Sequence, residues 1–450
     1  MGRLFGTDGA RGVANTELSC ELAMAIGRAA AMVLTDGERR PRVIIGKDTR
    51  ASSDMLEAAL AAGLCSVGAD VTLLGVLPTP AVAYLVKKYG ADAGVMISAS
   101  HNPCEYNGIK LFNGDGFKLP DALEEEMEAI ILDGAKPYPT PVGAAVGRVT
   151  YAKRSEEEYI RHLLSCVDGS LSGMRLAIDC ANGSAAMTAK KLFSSLGAEC
   201  EMLSDTPDGV NINDNCGSTH MAALTDYVKT HKVFAGIAFD GDADRCLMVD
   251  EQGNMVDGDR IIAALATHMQ RQGVLEKDTA VVTVMSNLGF FRFCEQQGVQ
   301  TRKTAVGDRY VLEEMLRGGY VLGGEQSGHI IDLRHATTGD GQLTALELLS
   351  ACRQSGKKLS AFVGAMERYP QVLVNVKATA TQKEAFRQNE ALQAAIAAAD
   401  EDLGKEGRVL VRVSGTEPLI RIMVEGRDFD EINRLAITLE NTIRAALPTA

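Results

Sequence analysis

The sequence predicts an α/β protein: three doubly wound mixed-sheet α/β domains followed by a smaller C-terminal α+β domain. Three observations predict it. The 450 residues are 46% hydrophobic and 23% charged, the balance of a folded chain, and at about 150 residues per domain they make about three domains. Short apolar strands alternate with amphipathic helices along most of the length, which is the pattern of β-α-β layers. Three strand ends also look alike. VIIGKDTR (43–50), LAIDCANG (176–183) and VVTVMSNLG (281–289) each pass from an apolar strand through a polar turn into a helix, hinting at three related units.

Taken in order, Arg42–Gly46, Val71–Val76, Ala93–Ile97, Arg175–Ile178, Val233–Phe239 and Thr279–Val284 read as buried strands. Glu17–Leu34, Met55–Leu64, Ala185–Leu196 and Met221–His231 read as the helices between them. Prolines 137, 139 and 141 cluster before Ser155–Glu158, which reads as a capping box opening a new helix. The turn Asp250–Gly253 and the neighbourhood of Pro370 mark two further breaks. The last segment reads strand, long helix (Gln382–Leu403), strand, strand, helix, with Ile432, Leu435, Leu439 and Ile443 on one face of the final helix. The expected domains are therefore 1–150, 151–250, 251–369 and 370–450. The acidic runs Glu124–Glu126 and Glu156–Glu158 read as solvated helix faces.

Composition excludes several functions. A net charge of −13 makes nucleic acid and anionic membranes poor partners, while leaving room for a local basic pocket that binds a small phosphorylated ligand. The ten cysteines contain no C-x-x-C pair, and several sit in apolar runs, so they are expected as reduced thiols. The chain starts without an apolar leader and has no run of about 18 apolar residues, so a cytoplasmic protein with no membrane span is expected.

Five segments carry candidate chemistry. In GVMISASHNPCEYNGIKLF (94–112) a buried strand ends at Ser98-Ala99-Ser100-His101-Asn102-Pro103. Ser100 is placed there to act as nucleophile or phosphoryl carrier, although the same letters also make a turn. A hydrolase elbow would need Gly two residues either side of the serine, where Ser98 and Asn102 stand. His101 follows directly, and adjacent side chains are expected to diverge, so acyl chemistry is disfavoured. In Asp240-Gly241-Asp242-Ala243-Asp244-Arg245, three carboxylates at alternate positions after a strand can converge on a hard cation, Mg²⁺ or Ca²⁺. Arg245 stands where an EF-hand loop needs glycine, and Asp244 where a D-x-D phosphatase needs Thr or Val. GGEQSGH (323–329) offers Glu325, Ser327 and His329 for sugar hydroxyls. Arg412-Val413-Ser414-Gly415-Thr416, with Arg421, reads as a phosphate cradle or as a hairpin turn flanked by arginines. GTDGARG (6–12) lacks the spacing of a nucleotide-binding loop.

Together GTDGARG, SASHNP (98–103), NGIK (107–110), DGDADR (240–245), GEQSGH (324–329) and RVSGTEP (412–418) resemble the α-D-phosphohexomutase family, over essentially the whole chain. GEQSGH, SASHNP, TVMSNLG (283–289) and NINDNCGSTH (211–220) look like its glucosamine-specific branch. The resemblance implies four domains around a central cleft. It also implies reversible conversion of glucosamine 6-phosphate to glucosamine 1-phosphate through a phosphoserine and a 1,6-bisphosphate, with sister branches acting on mannose or glucose phosphates as the alternative. By resemblance, Ser100 carries the phosphoryl group and, with Asp240, Asp242 and Asp244, holds one Mg²⁺. Arg11, Lys110 and Arg245 line the phosphoserine, with Lys110 the acid/base candidate and His329 a further one. Glu325 and Ser327 contact sugar hydroxyls, while Arg412, Ser414, Gly415, Thr416 and Arg421 grip the phosphate that is not reacting. The expected partner is a small sugar phosphate, with homodimerisation left open.

Overall fold

A computed structural model describes residues 3–6, 8–34, 39–414 and 418–447. They form two compact units: residues 1–285 with 297–365, and residues 286–296 with 366–450.

The first unit holds three sheets. From edge to edge, the first runs Ala10–Val13, Tyr106–Asn113, Ala93–Ile97, Arg42–Lys47, Asp70–Val76 and Val149–Tyr151. The second runs Met255–Val256, Cys246–Asp250, Ala235–Phe239, Arg175–Asp179 and Glu199–Leu203. The third runs Gln300–Thr304, Thr279–Thr283, Leu322–Gly324 and Ile330–Asp332. Numbered by their order in the chain, four strands of each sheet lie side by side as fourth, third, first, second, with only the fourth antiparallel. The sheets are mixed and the plan is used three times. Strands buried on both faces, such as Ala93–Ile97 and Thr279–Thr283, are continuous apolar runs because helices cover both sides.

The second unit is a three-stranded antiparallel sheet, Gln371–Lys377, Leu419–Gly426 and Gly407–Val413. The helix Phe429–Ala446 lays Ile432, Leu439 and Ile443 against Ile420, Ile422 and Val424. Among the described residues, no helix is long and apolar enough to cross a membrane. All ten cysteines are free thiols.

Three local expectations are corrected, and one boundary shifts by a residue. The turn at 250–253 is no seam between sheets: it is a hairpin inside the second sheet, closed by Asp250 Oδ1 accepting the N–H groups of Gln252 and Asn254. At the first predicted seam, Val149–Tyr151 still pairs with Asp70–Val76, so the chain leaves the first sheet just past residue 150. Ser155 is the first residue of the helix Ser155–Ser165 rather than its cap, and its hydroxyl donates to Leu74 O. The single helix read over 382–403 is two, Ala380–Gln388 and Glu390–Leu403, because Asn389 leaves helical geometry and its side chain caps the second at Leu392 N.

Candidate active site

The site of the first unit is built on the hairpin loops that follow the third strand of each sheet. Ser98–Pro103 follows Ala93–Ile97, Asp240–Arg245 follows Ala235–Phe239, and Glu325–His329 follows Leu322–Gly324. Backbone bonds tie the second loop to the third: Cys246 N–H donates to Gly328 O, and Arg245 bridges His329. All three loops thus leave from strand ends, where open α/β sheets gather ligands.

Ser100 Oγ donates to Asp240 Oδ2 at 2.5 Å, joining positions 140 residues apart. Ser100 adopts φ +53°, left-handed for a non-glycine residue. That turn overturns the expectation that His101 points away, since His101 Nδ1 lies 3.3 Å from Ser100 Oγ. Burial, with Arg245 and Arg11 nearby, pulls the imidazole down to about 4, so at neutral pH it is a feeble base. Gly241 lies against the serine loop; a Cβ there would stand 2.6 Å from Ser100 O.

The acids do converge. Asp240, Asp242 and Asp244 are all buried, and one oxygen from each lies within 4.8 Å of the others. Asp242 Oδ2 accepts from Thr79 Oγ1 at 2.6 Å and from Lys110 Nζ at 2.7 Å, and Lys110 also reaches Asp244 Oδ2 at 3.3 Å. Asp242 Oδ1 and Asp244 Oδ1 are buried without a hydrogen bond. Burial and its two acidic neighbours push the Asp240 carboxyl well above the ordinary range. Oxygen-only ligands, two of whose buried oxygens lack a hydrogen bond, fit a hard divalent cation. Asp332, His335 and Glu347 form a second close group, but there Arg334 bonds both oxygens of Asp332.

Around the triad, Lys110 is 1% exposed. Burial opposes its charge, yet Asp242, Asp8 and Asp244 raise it above the ordinary lysine range, so it is an ammonium. Asp8 also pairs with Arg11 and with Lys118, which in turn bonds Asp308. Arg245 donates its backbone N–H to Asp240 Oδ1 at 3.2 Å. His329 Nε2 accepts the N–H of Gly339 at 3.1 Å, leaving Nδ1 to carry the proton, 3.6 Å from Asp244. Glu325 accepts from Gly307 N, and burial raises its pKa; Ser327 is exposed.

In the second unit Arg412 and Arg421 are directly opposed on neighbouring strands. Like charges so placed repel, and Arg412 is lowered by burial and by Arg421. Ser414 N–H donates to Leu419 O. Gly415 and Thr416 lie outside the described residues, as does Thr7 of GTDGARG.

Sequence reasoning missed Asp48, Arg50, Thr79, Lys118, Asn213 and Asp308. Asp48 and Arg50 sit in KDTR and Asn213 in NINDNCGSTH, both noticed without a role. Thr79, Lys118 and Asp308 had no motif around them.

Models of the phosphoglucomutase/phosphomannomutase family match in order: α/β/α domain I over residues 2–137, II over 157–253, III over 257–369, and the C-terminal domain over 373–441. The chain belongs to the phosphoglucomutase/phosphomannomutase family. Within it, the phosphoglucosamine mutases of Ruminiclostridium cellulolyticum and Caldicellulosiruptor saccharolyticus are 52% and 54% identical, over 99% of this chain and 100% of each relative. A family member from Burkholderia thailandensis shares the fold at TM-score 0.84 and 24% identity, covering 99% of this chain and 98% of that one. An Aspergillus fumigatus N-acetylphosphoglucosamine mutase, solved with GlcNAc-6P and magnesium, shares it at TM-score 0.64 and 20% identity, covering 86% and 94%.

Proposed function

We propose that this protein interconverts glucosamine 6-phosphate and glucosamine 1-phosphate through a phosphoserine enzyme and a 1,6-bisphosphate intermediate. The observation that carries the chemistry is the 2.5 Å contact of Ser100 with a buried carboxylate triad. The choice of sugar rests on full-length relatives at 52–54% identity that are phosphoglucosamine mutases.

Phosphoryl transfer needs positioning and charge neutralisation more than covalent help from the protein. Ser100 carries the phosphoryl group. Asp240, Asp242 and Asp244, with an oxygen on Ser100, would hold Mg²⁺, which when bound offsets charge on the transferring group. Arg11, Arg245 and Lys110 supply fixed positive charge around the serine. Lys110, the acid/base candidate, rests as an ammonium held by three carboxylates, and His329 is the second proton carrier. Glu325 and Ser327 hold sugar hydroxyls. Arg412, Ser414, Gly415, Thr416 and Arg421 grip the phosphate not in transfer, a role that relieves the repulsion between the two arginines.

In the first transfer the Ser100 Oγ–P bond breaks as phosphorus bonds the free sugar hydroxyl, and the proton of that hydroxyl ends on Oγ. In the second, the phosphoryl group at the other sugar position passes to Oγ as its sugar O–P bond breaks, and the Oγ proton ends on that sugar oxygen, so enzyme and proton count are restored. The test is product identification by ³¹P NMR with glucosamine 6-phosphate, Mg²⁺ and a trace of bisphosphorylated sugar. Glucosamine 1-phosphate is expected; release of inorganic phosphate, or turnover of mannose or glucose phosphates in preference, overturns the reading.

A further inference from the structure

Ser100 is held by its own carbonyl. Arg50 Nη2 donates to Ser100 O at 3.0 Å and Asn102 O at 2.9 Å, while Nη1 donates to Pro103 O at 2.6 Å. From the other side, Asn213 Nδ2 donates to the same two oxygens, Ser100 O at 2.9 Å and Asn102 O at 3.0 Å. Arg50 is wholly buried and is oriented by Asp48, whose Oδ2 accepts its Nε at 2.9 Å. The same Asp48 oxygen accepts Ser98 Oγ at 2.6 Å, and Ser98 Oγ in turn accepts the Ser100 N–H at 3.0 Å. Both the N–H and the C=O of Ser100 are therefore fixed, while its side chain is left to face Asp240.

We propose that Arg50 and Asn213 form a two-sided clamp that holds Ser100 in its left-handed backbone conformation, and that this positioning sets the rate of phosphoryl transfer rather than the affinity for substrate. Arg50 and Asn213 touch the loop backbone and are positioning residues. An unclamped serine would relax to a negative φ, swinging Oγ away from the acids. The clamp draws on two loops of different sheets: Arg50 precedes the helix Ala51–Ser66, and Asn213 lies beyond the strand Glu199–Leu203. The inference rests on Ser100 being the phosphoryl carrier.

The test uses Asn213→Asp. It keeps the size and the tolerance for φ +58° found at this position but replaces the donor with a carboxylate facing two carbonyl oxygens. Arg50→Lys, which cannot reach three carbonyls at once, is the companion. Expected for Asn213→Asp is a fall in kcat of about 100-fold, a KM within threefold (about the wild-type value), slower phosphorylation of Ser100 by a bisphosphorylated sugar, and a lower melting temperature that leaves the protein fully folded at the assay temperature. Wild-type kcat and phosphorylation rate in both variants overturn the clamp, as does activity lost only in proportion to folded protein. Wild type and Ser100→Ala are run alongside. If wild type does not isomerise, or Ser100→Ala does, it is the mutase reading that fails; if they behave as expected and the clamp variants match wild type, only the clamp fails.

Discussion

Ser100 Oγ donates to Asp240, while Lys110 bonds the other two acids, Asp242 and Asp244. Ser100→Ala removes the carrier and is expected to lower kcat by several orders of magnitude with the fold intact, as read by turnover and circular dichroism. Asp340 shows how burial couples to pH. It caps the helix Gly341–Ser355 and accepts the Tyr159 hydroxyl at 3.0 and 2.9 Å, yet burial raises it from 3.8 to about 6. Because the folded value is the higher one, the folded state holds the proton more tightly. The penalty is absent below about pH 4, grows between 4 and 6, and is complete above, up to about 3 kcal/mol. Asn caps helices as well as Asp, so Asp340→Asn is expected to be more stable than wild type at pH 7.5, with the gain fading by pH 4 in urea titrations.

At this scale the sequence was most legible where chemistry needs several residues close together in the chain. Three acids at alternate positions, or a serine before His-Asn-Pro, are visible as letters. Lys118 and Asp308 are single charged residues, and only folding brings them to Asp8 and His329.

Among the elements, the recurring unit is the four-strand plan with its antiparallel fourth strand. The similar turns VIIGKDTR, LAIDCANG and VVTVMSNLG hinted at the repeat, and they end the first strand of that plan in each sheet. The site loops instead follow the third strand, which periodicity alone could not single out. The helix break at Asn389 was hidden because the apolar spacing continues through it, and the cap wins locally. Asn389→Ala is expected to lower stability by about 1 kcal/mol in chemical denaturation without changing turnover. Gly241→Ala acts on the site instead. With no room for a Cβ beside Ser100 O, it is expected to displace the serine loop, lowering kcat while substrate affinity by calorimetry persists.

For the whole molecule, a net charge of −13 coexists with a site crowded by Arg11, Lys110, Lys118 and Arg245, so composition misleads unless local pockets are considered. The unmet oxygens of the triad predict a cation dependence readable without turnover. Mg²⁺ is expected to raise the melting temperature of the wild type, and chelation to abolish activity reversibly, whereas Asp242→Asn shows no thermal response to Mg²⁺. The account's central claim is tested most directly by mapping the phosphoryl group on protein incubated with a bisphosphorylated hexose and Mg²⁺, using intact mass and peptide sequencing. One group, on Ser100, that is discharged by glucosamine 6-phosphate is the predicted result. A phosphoryl group on any other residue, or none on Ser100 in protein that isomerises the sugar, would contradict it.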